Sequence, residues 1–134
     1  MMTLLQISAL AFSTGKHAGQ KRRGGKDYIT HPVQVAEMVH TERQKVIALL
    51  HDTLEDTDTT YNELLAQFGK PVADAVDALT RRKGETHPDY IKRVKTNADA
   101  VQVKIADITC NVNDLPTAST RIRYADELLE LRTI

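Results

Sequence analysis

The run LLHDTLEDTD, Leu49 to Asp58, sets an apolar stretch directly against His51 and the carboxylates Asp52, Glu55, Asp56 and Asp58. On a helix, His51 stands over Glu55 and Asp52 over Asp56, so two carboxylates share a face and repel each other. At a helix C-terminus the macrodipole adds further negative charge. No Lys or Arg lies within the run. The segment therefore expects a cation from elsewhere.

A second carboxylate raises the same demand. Asp107 and Asn111 lie four apart on a largely apolar helical pattern, and so on a face that should be buried. A buried ionised Asp is costly unless it is paired. Lys104, one turn earlier, is one candidate partner, and a Lys104–Asp107 pair with Asp52 as a helix cap would account for both sites separately. Joining the sites gives the other reading. His31, His51, Asp52 and Asp107 make a mixed imidazole–carboxylate set that suits a divalent ion, with Mn²⁺, Fe²⁺ and Zn²⁺ all acceptable by ligand type. Such an ion keeps positions for water and substrate. Glu55 and Asp56 are then left to orient a water or shuttle protons to a leaving group; without a metal they form a solvated acidic turn.

Lys16, Lys21, Arg22, Arg23 and Lys26 form a basic, Gly-rich segment that leads into His31. It is either solvated surface or a clamp, with Arg22 and Arg23 able to fork onto phosphate or stack on a base. Tyr28 is expected to pack near the pocket. His87 precedes Pro88 as His31 precedes Pro32, and spacing alone does not choose between them; the basic loop favours His31. Metal, basic loop and loose carboxylates together point to metal-assisted hydrolysis of a phosphate ester.

These groups must be positioned by helices. Thr3 to about Gly15, THPVQVAEMVH, ERQKVIALLHD, YNELLAQFG behind a Thr60–Glu63 capping box, PVADAVDALTRR, THPDYIKRVKT, a stripe through Val101, Ile105, Ile108, Val112 and Leu115, and Ala118 to Leu131 all carry helical signals. Pro32 biases His31 out of the helical region, to a helix mouth. No strand pattern, repeat or linker is evident, and 134 residues suit one core. The expected architecture is all-α, one domain over residues 1–134. Zero net charge argues against a nucleic-acid polycation, and a single cysteine, Cys110, suits a reducing, cytoplasmic setting. The apolar start lacks a basic leader pattern, and no stretch reaches membrane-spanning length. Apolar faces on the terminal helices leave room for a homodimer.

The segments HAGQKRRGGKDYITHP, LLHDTLEDTD and KIADITCN together resemble the HD-domain hydrolases of the RelA/SpoT type. In size the chain is similar to the small alarmone hydrolases, including the metazoan SpoT homologues, and the likeness runs from about His17 to Asp114. It implies a single HD-domain helical bundle binding Mn²⁺ through His31, His51, Asp52 and Asp107. It also implies hydrolysis of the 3′-diphosphate of guanosine tetra- or pentaphosphate to pyrophosphate and GDP or GTP. Glu55 and Asp56 match the catalytic pair, Arg22 and Arg23 the residues beside the base, and Asn111 a residue near ribose and phosphate; Tyr28 and Lys104 complete the expected substrate contacts. A hydrolase without synthetase or regulatory domains is expected.

The chain departs from the family pattern at several points. Arg23 stands for a Lys, and Asp27 for the Pro before the tyrosine, which sets a negative charge beside the expected phosphate path; the connection before VIALLHD is short, and VNDLPTAS leaves the distal pocket unassigned. Arg93, Lys95, Arg121, Arg123 and Tyr124 are candidates there by charge. An adenosine alarmone or another nucleotide is the alternative substrate. A low-turnover alarmone-binding module is the alternative from outside enzymology.

Overall fold

The computed structural model describes residues 2–112 and 117–133. Leu115 of the expected apolar stripe and residues 113–116 of VNDLPTAS lie outside the described residues. The elements are α1 (Leu4–Lys16), α2 (Thr30–Glu37), α3 (Glu42–Leu50), α4 (Thr53–Asp56), α5 (Tyr61–Phe68), α6 (Lys70–Ala78), α7 (His87–Val94), α8 (Ala98–Asn111) and α9 (Ala118–Leu131). Among the described residues there is no strand, only one isolated antiparallel bridge between Lys21 and Asp27. The all-α expectation holds.

Helix α3 is the centre of the bundle. Its last five residues, Val46 to Leu50, are consecutive apolar side chains with no polar face among them, and all are buried. A helix end apolar all round must be covered all round, and α1, α2, α6 and α8 supply the cover. The core continues through Val35, Leu64, Val76, Ile91, Val94, Val103 and Ile108.

Caps fix where the helices start. Thr41 accepts from the Gln44 N–H at the head of α3, and Thr60 and Glu63 form the expected reciprocal capping box at α5. Gly69, at φ 90°, takes the left-handed conformation that ends α5 and lets Pro71 begin α6. The short connection between α2 and α3 is bridged by Lys45, whose Nζ donates to the carbonyls of Ala36 and Val39 at 3.0 and 2.8 Å. Those carbonyls belong to the last turn of α2 and the residues after it, where a cation is favoured.

One local expectation differs. His31 lies inside the first turn of α2, as its second residue, and not before the helix. The His31 N–H donates to the Tyr28 carbonyl at 2.9 Å and the Thr30 N–H to the Asp27 carbonyl at 3.1 Å. This tight turn carries the chain into helical geometry before Pro32 is reached, overriding the proline's preference for an extended neighbour.

Because α3 is enclosed on all sides, removing volume there leaves a cavity that its neighbours cannot collapse into freely. Leu50→Ala is expected to lower the unfolding free energy by about 2–5 kcal/mol in denaturant titration. A loss well below that range would mean that α3 is not the packed centre.

Candidate metal centre

Three helix ends converge on one point. His31 comes from the first turn of α2, His51 caps the C-terminus of α3, and Asp107 projects from α8, which packs against both helices. Asp52 follows His51 in the joint between α3 and α4; its side chain makes no capping bond. That side chain turns inward. The ligand atoms of His31, His51 and Asp52 lie within 4.8 Å of one another. Asp107 Oδ1 lies 2.8 Å from His31 Nε2 and 3.3 Å from His51 Nε2, while Asp52 Oδ2 lies 3.1 and 3.9 Å from His51 and His31 Nε2.

The chemistry of this donor set fits a divalent cation. His51 Nδ1 lies 2.6 Å from the Ala48 carbonyl, so it must carry a proton to donate there. The Nε2 of a neutral ring then presents a lone pair to two carboxylates, which is repulsive unless a cation sits between them. All the partners needed to orient such donors are present. Tyr28 donates its hydroxyl to Asp52 Oδ2. Lys104 Nζ, 3.2 Å away, holds Asp107 Oδ2, and Asn111 Nδ2 donates to Oδ1 at 3.3 Å. The Lys104–Asp107 pair and the histidine cluster therefore coexist, each using a different oxygen of Asp107.

The electrostatics follow from burial and charge. Burial opposes charge on His51, but Asp52 and Asp107 together raise its pKa well above the ordinary imidazole value. Burial likewise works against the carboxylate of Asp107, yet Lys104 and the two histidines hold its pKa well below the usual range. Asp52 is lowered too, against burial, by His51. Asp56 goes the other way: burial, then the charges of Asp52 and Glu55, push its pKa up. Burial and the neighbouring Asp52 also keep the Tyr28 hydroxyl protonated, consistent with its role as donor.

The cluster forms the floor of an open cavity of about 370 Å³. Arg22, Arg23, Tyr28, Glu55 and Asp56 line it, and Lys104 and Asn111 line it beside Asp107. His51 sits beneath, 3% exposed. The residues expected to bind metal, act on the substrate or contact it in the family-like motifs are thus brought together, while of the distal candidates only Tyr124 lines this cavity. His87 lies apart from the cluster, with Glu127 at 3.6 Å and Arg123 in an adjoining cavity of about 210 Å³. Arg93 binds Glu85 and the carbonyls of Asp77, Ala78 and Thr80, and Lys95 pairs with Glu130, so neither belongs to the pocket. Tyr124 does line it. His17, which the sequence left unassigned, is buried against the Tyr28 ring, with centroids 4.8 Å apart.

Asp27 does not point a charge at the cavity. It pairs with Lys21 across the bridge that closes the basic loop, where the Arg22 N–H donates to the Lys26 carbonyl at 2.7 Å and Gly25 turns the chain at φ 91°.

A model of the HD domain family matches residues 9–134. The chain belongs to the HD domain family. Among curated relatives of this HD domain, a guanosine-3′,5′-bis(diphosphate) 3′-pyrophosphohydrolase of Aquifex aeolicus is 39% identical, over 92% of this chain and 20% of its own length. The bifunctional (p)ppGpp synthase/hydrolase SpoT of Escherichia coli K12 is 34% identical over 86% of this chain and 19% of its own. A GTP pyrophosphokinase of Myxococcus xanthus is 33% identical over 92% and 19%. The chain thus spans about a fifth of the length of these relatives. A solved structure described as a metazoan ortholog of SpoT that hydrolyses ppGpp superposes with a TM-score of 0.83 at 24% identity, covering 98% of this chain and 88% of that one. That likeness shows the fold.

A cation at this centre must displace the proton that His51 holds so strongly, so binding releases protons and strengthens with pH. Below the raised pKa of His51, Mn²⁺ affinity measured by calorimetry is expected to rise about tenfold per pH unit, levelling off above it; a flat profile would contradict it. In the metal-free protein the signs are opposite for the two residue types. Stability from His51 is present below the ordinary imidazole pKa and is lost as pH rises through the raised one. Stability from Asp52 and Asp107 is present above the ordinary carboxylate pKa and is lost as pH falls through the lowered ones. Metal-free protein should therefore weaken at both ends of a denaturation series run against pH.

Proposed function

We propose that this HD domain is a Mn²⁺-dependent hydrolase of guanosine 3′,5′-bis(diphosphate) and its pentaphosphate analogue, releasing pyrophosphate from the 3′ position. The observation that carries the reading is the convergence of His31, His51, Asp52 and Asp107 at a cavity that two arginines and two further carboxylates also line. The proteins it matches, named for synthesis or hydrolysis of this alarmone, support the substrate class.

His31, His51, Asp52 and Asp107 would hold the ion, and a divalent cation there supplies a Lewis acid and a water acidified towards neutral pH. Mn²⁺ is the ion that the resemblance to the RelA/SpoT-type hydrolases implies, while the donor set itself accepts Fe²⁺ and Zn²⁺ as well. The chain's own groups do the rest. Arg22 is held by Thr30 Oγ1 at 3.2 Å and Gln34 Oε1 at 2.9 Å, which orients its guanidinium towards the cavity wall. Arg22 and Arg23 there offer flat cations to a purine face or forks to phosphate. Lys104 and Asn111 face the 3′-diphosphate.

Breaking the bond between the 3′ phosphorus and the ribose 3′-oxygen requires one proton removed from the attacking water and one delivered to that oxygen. Asp56, whose pKa is pushed up by burial and by the charges of Asp52 and Glu55, delivers it. Glu55 accepts the proton from water, steadied by the Arg81 backbone N–H at 3.2 Å from Oε1. The adjoining cavity, with Arg81, Arg123 and Tyr124, receives the 5′ phosphates. A small-molecule substrate with no nucleic-acid partner fits this arrangement, and among the described residues no helix is long and apolar enough to cross a membrane.

Product analysis of chelator-treated protein with ppGpp tests the reading directly. GDP and pyrophosphate are expected with added Mn²⁺ and not without it. Turnover of an adenosine alarmone but not of ppGpp would move the substrate while leaving the site in place. Asp52→Ala and Asp107→Ala should lose both Mn²⁺ binding and turnover.

Carboxylate variants separate chemistry from metal binding. Glu55→Gln and Asp56→Asn are expected to retain Mn²⁺ affinity while kcat drops by about 10²–10⁴-fold. Near-normal kcat in both would remove these groups from the reaction.

A further inference from the structure

His31 and His51 converge through Nε2, but their far nitrogens are held by different means. His51 Nδ1 is fixed by a backbone carbonyl 2.6 Å away. His31 Nδ1 lies 3.5 Å from Sγ of Cys110, which is half-buried on α8 one turn beyond Asp107. The same sulfur lies 3.3 Å from Gln34 Oε1, and that oxygen accepts from Arg22 Nη1 at 2.9 Å.

The polarity of this chain of contacts can be worked out from its ends. Arg22 can only donate, so Gln34 presents its carbonyl oxygen to both neighbours. Cys110 must then spend its single S–H on that oxygen, and its sulfur is left to accept. That sulfur can accept the Nδ1–H of His31. At the other end of the ring, Nε2 lies 2.8 Å from Asp107 Oδ1, which a bare lone pair would repel. With a cation between Nε2 and Asp107 that repulsion is removed, the ring proton belongs on Nδ1, and Cys110 Sγ is the acceptor beside it.

We infer that Cys110 is a positioning residue for His31, its thiol fixing the imidazole tautomer and ring orientation needed to bind the cation. The inference rests on the metal centre proposed above. A thiol is a weaker acceptor than a carbonyl, so His31 is the less firmly held of the two imidazoles. Its support also reaches, through Gln34, the arginine that walls the substrate cavity.

The test is calorimetric titration of Mn²⁺ into metal-free wild-type, Cys110→Val and Cys110→Ser proteins. Circular dichroism and thermal midpoints without metal establish that each variant is folded. Valine keeps the approximate volume and offers no acceptor, so its affinity is expected to fall about tenfold, the lower end of what loss of such a partner costs. Serine keeps one donor and an acceptor and is expected to restore most of the affinity. Wild-type affinity in Cys110→Val would overturn the assignment, and so would an equal fall in Val and Ser, which would mark a packing role. If wild-type protein itself failed to bind Mn²⁺, the metal centre would fall and this inference with it, a result distinct from both.

Discussion

Two carboxylates that must be neutralised inside the protein set the terms for the rest of the structure. Asp52 and Asp107 both turn towards His31 and His51, away from bulk water, and neither could remain ionised there alone. The fold answers with four kinds of partner: two imidazoles, the Lys104 ammonium, the Tyr28 hydroxyl and the Asn111 amide. The histidines come from the ends of α2 and α3, Tyr28 from the turn before α2, and Lys104 and Asn111 from α8, which packs against both α2 and α3. Enclosing α3 on all sides places its C-terminus, and so His51 and Asp52, deep in the bundle. The macrodipole there is negative, which adds to the demand for a cation. A cluster able to hold a metal is then an electrostatic consequence of where the central helix ends.

The same geometry drives the carboxylates apart in their pKa values. Asp52 and Asp107 are pulled down by histidines and Lys104, while Asp56, one turn further along the chain, is pushed up by burial and by its acidic neighbours. Asp52 and Asp56 are joined by the helical bond from the Asp56 N–H to the Asp52 carbonyl, at 3.0 Å. One short helix therefore carries a carboxylate held ionised and another that keeps its proton more readily. Acid and base assignments emerge from such pairs whose environments drive their pKa values apart.

Much of this was legible in the sequence, for identifiable reasons. Apolar spacing and caps gave away the helices, because Thr41, Thr60 and Gly69 act through local bonds that a sequence pattern encodes. The site residues could be picked out because charged and imidazole side chains on apolar helices are costly enough to need a reason. What stayed hidden depends on contacts between distant segments. Arg93 looked like a substrate cation, yet four carbonyl and carboxylate partners from two other segments claim it. Asp27 looked like a charge on the phosphate path, and only the folded loop reveals Lys21 opposite it. Nothing in the spacing of His17 could tell that it would lie against Tyr28.

The Asp27 case shows how a departure from a family pattern can be absorbed. A proline before the tyrosine would stiffen the loop through its fixed φ. Here the loop is held instead by the Lys21–Asp27 pair and by backbone bonds from Arg22 to Lys26 and from Tyr28 to Gln20. These bonds leave Arg22 and Arg23 at the tip of a closed turn, with Gly25 taking the left-handed position the turn requires. The Lys21–Asp27 pair is exposed, so its energy is small and screened by salt. Its more important effect is to spend the charge of Asp27 on a lysine and leave the arginines as the charges that meet an anionic substrate. The loop is closed without the proline and keeps Arg22 and Arg23 on the cavity. Because the pair is screened by salt, ionic strength should act on the ordering of this loop before it reaches the buried centre beneath it.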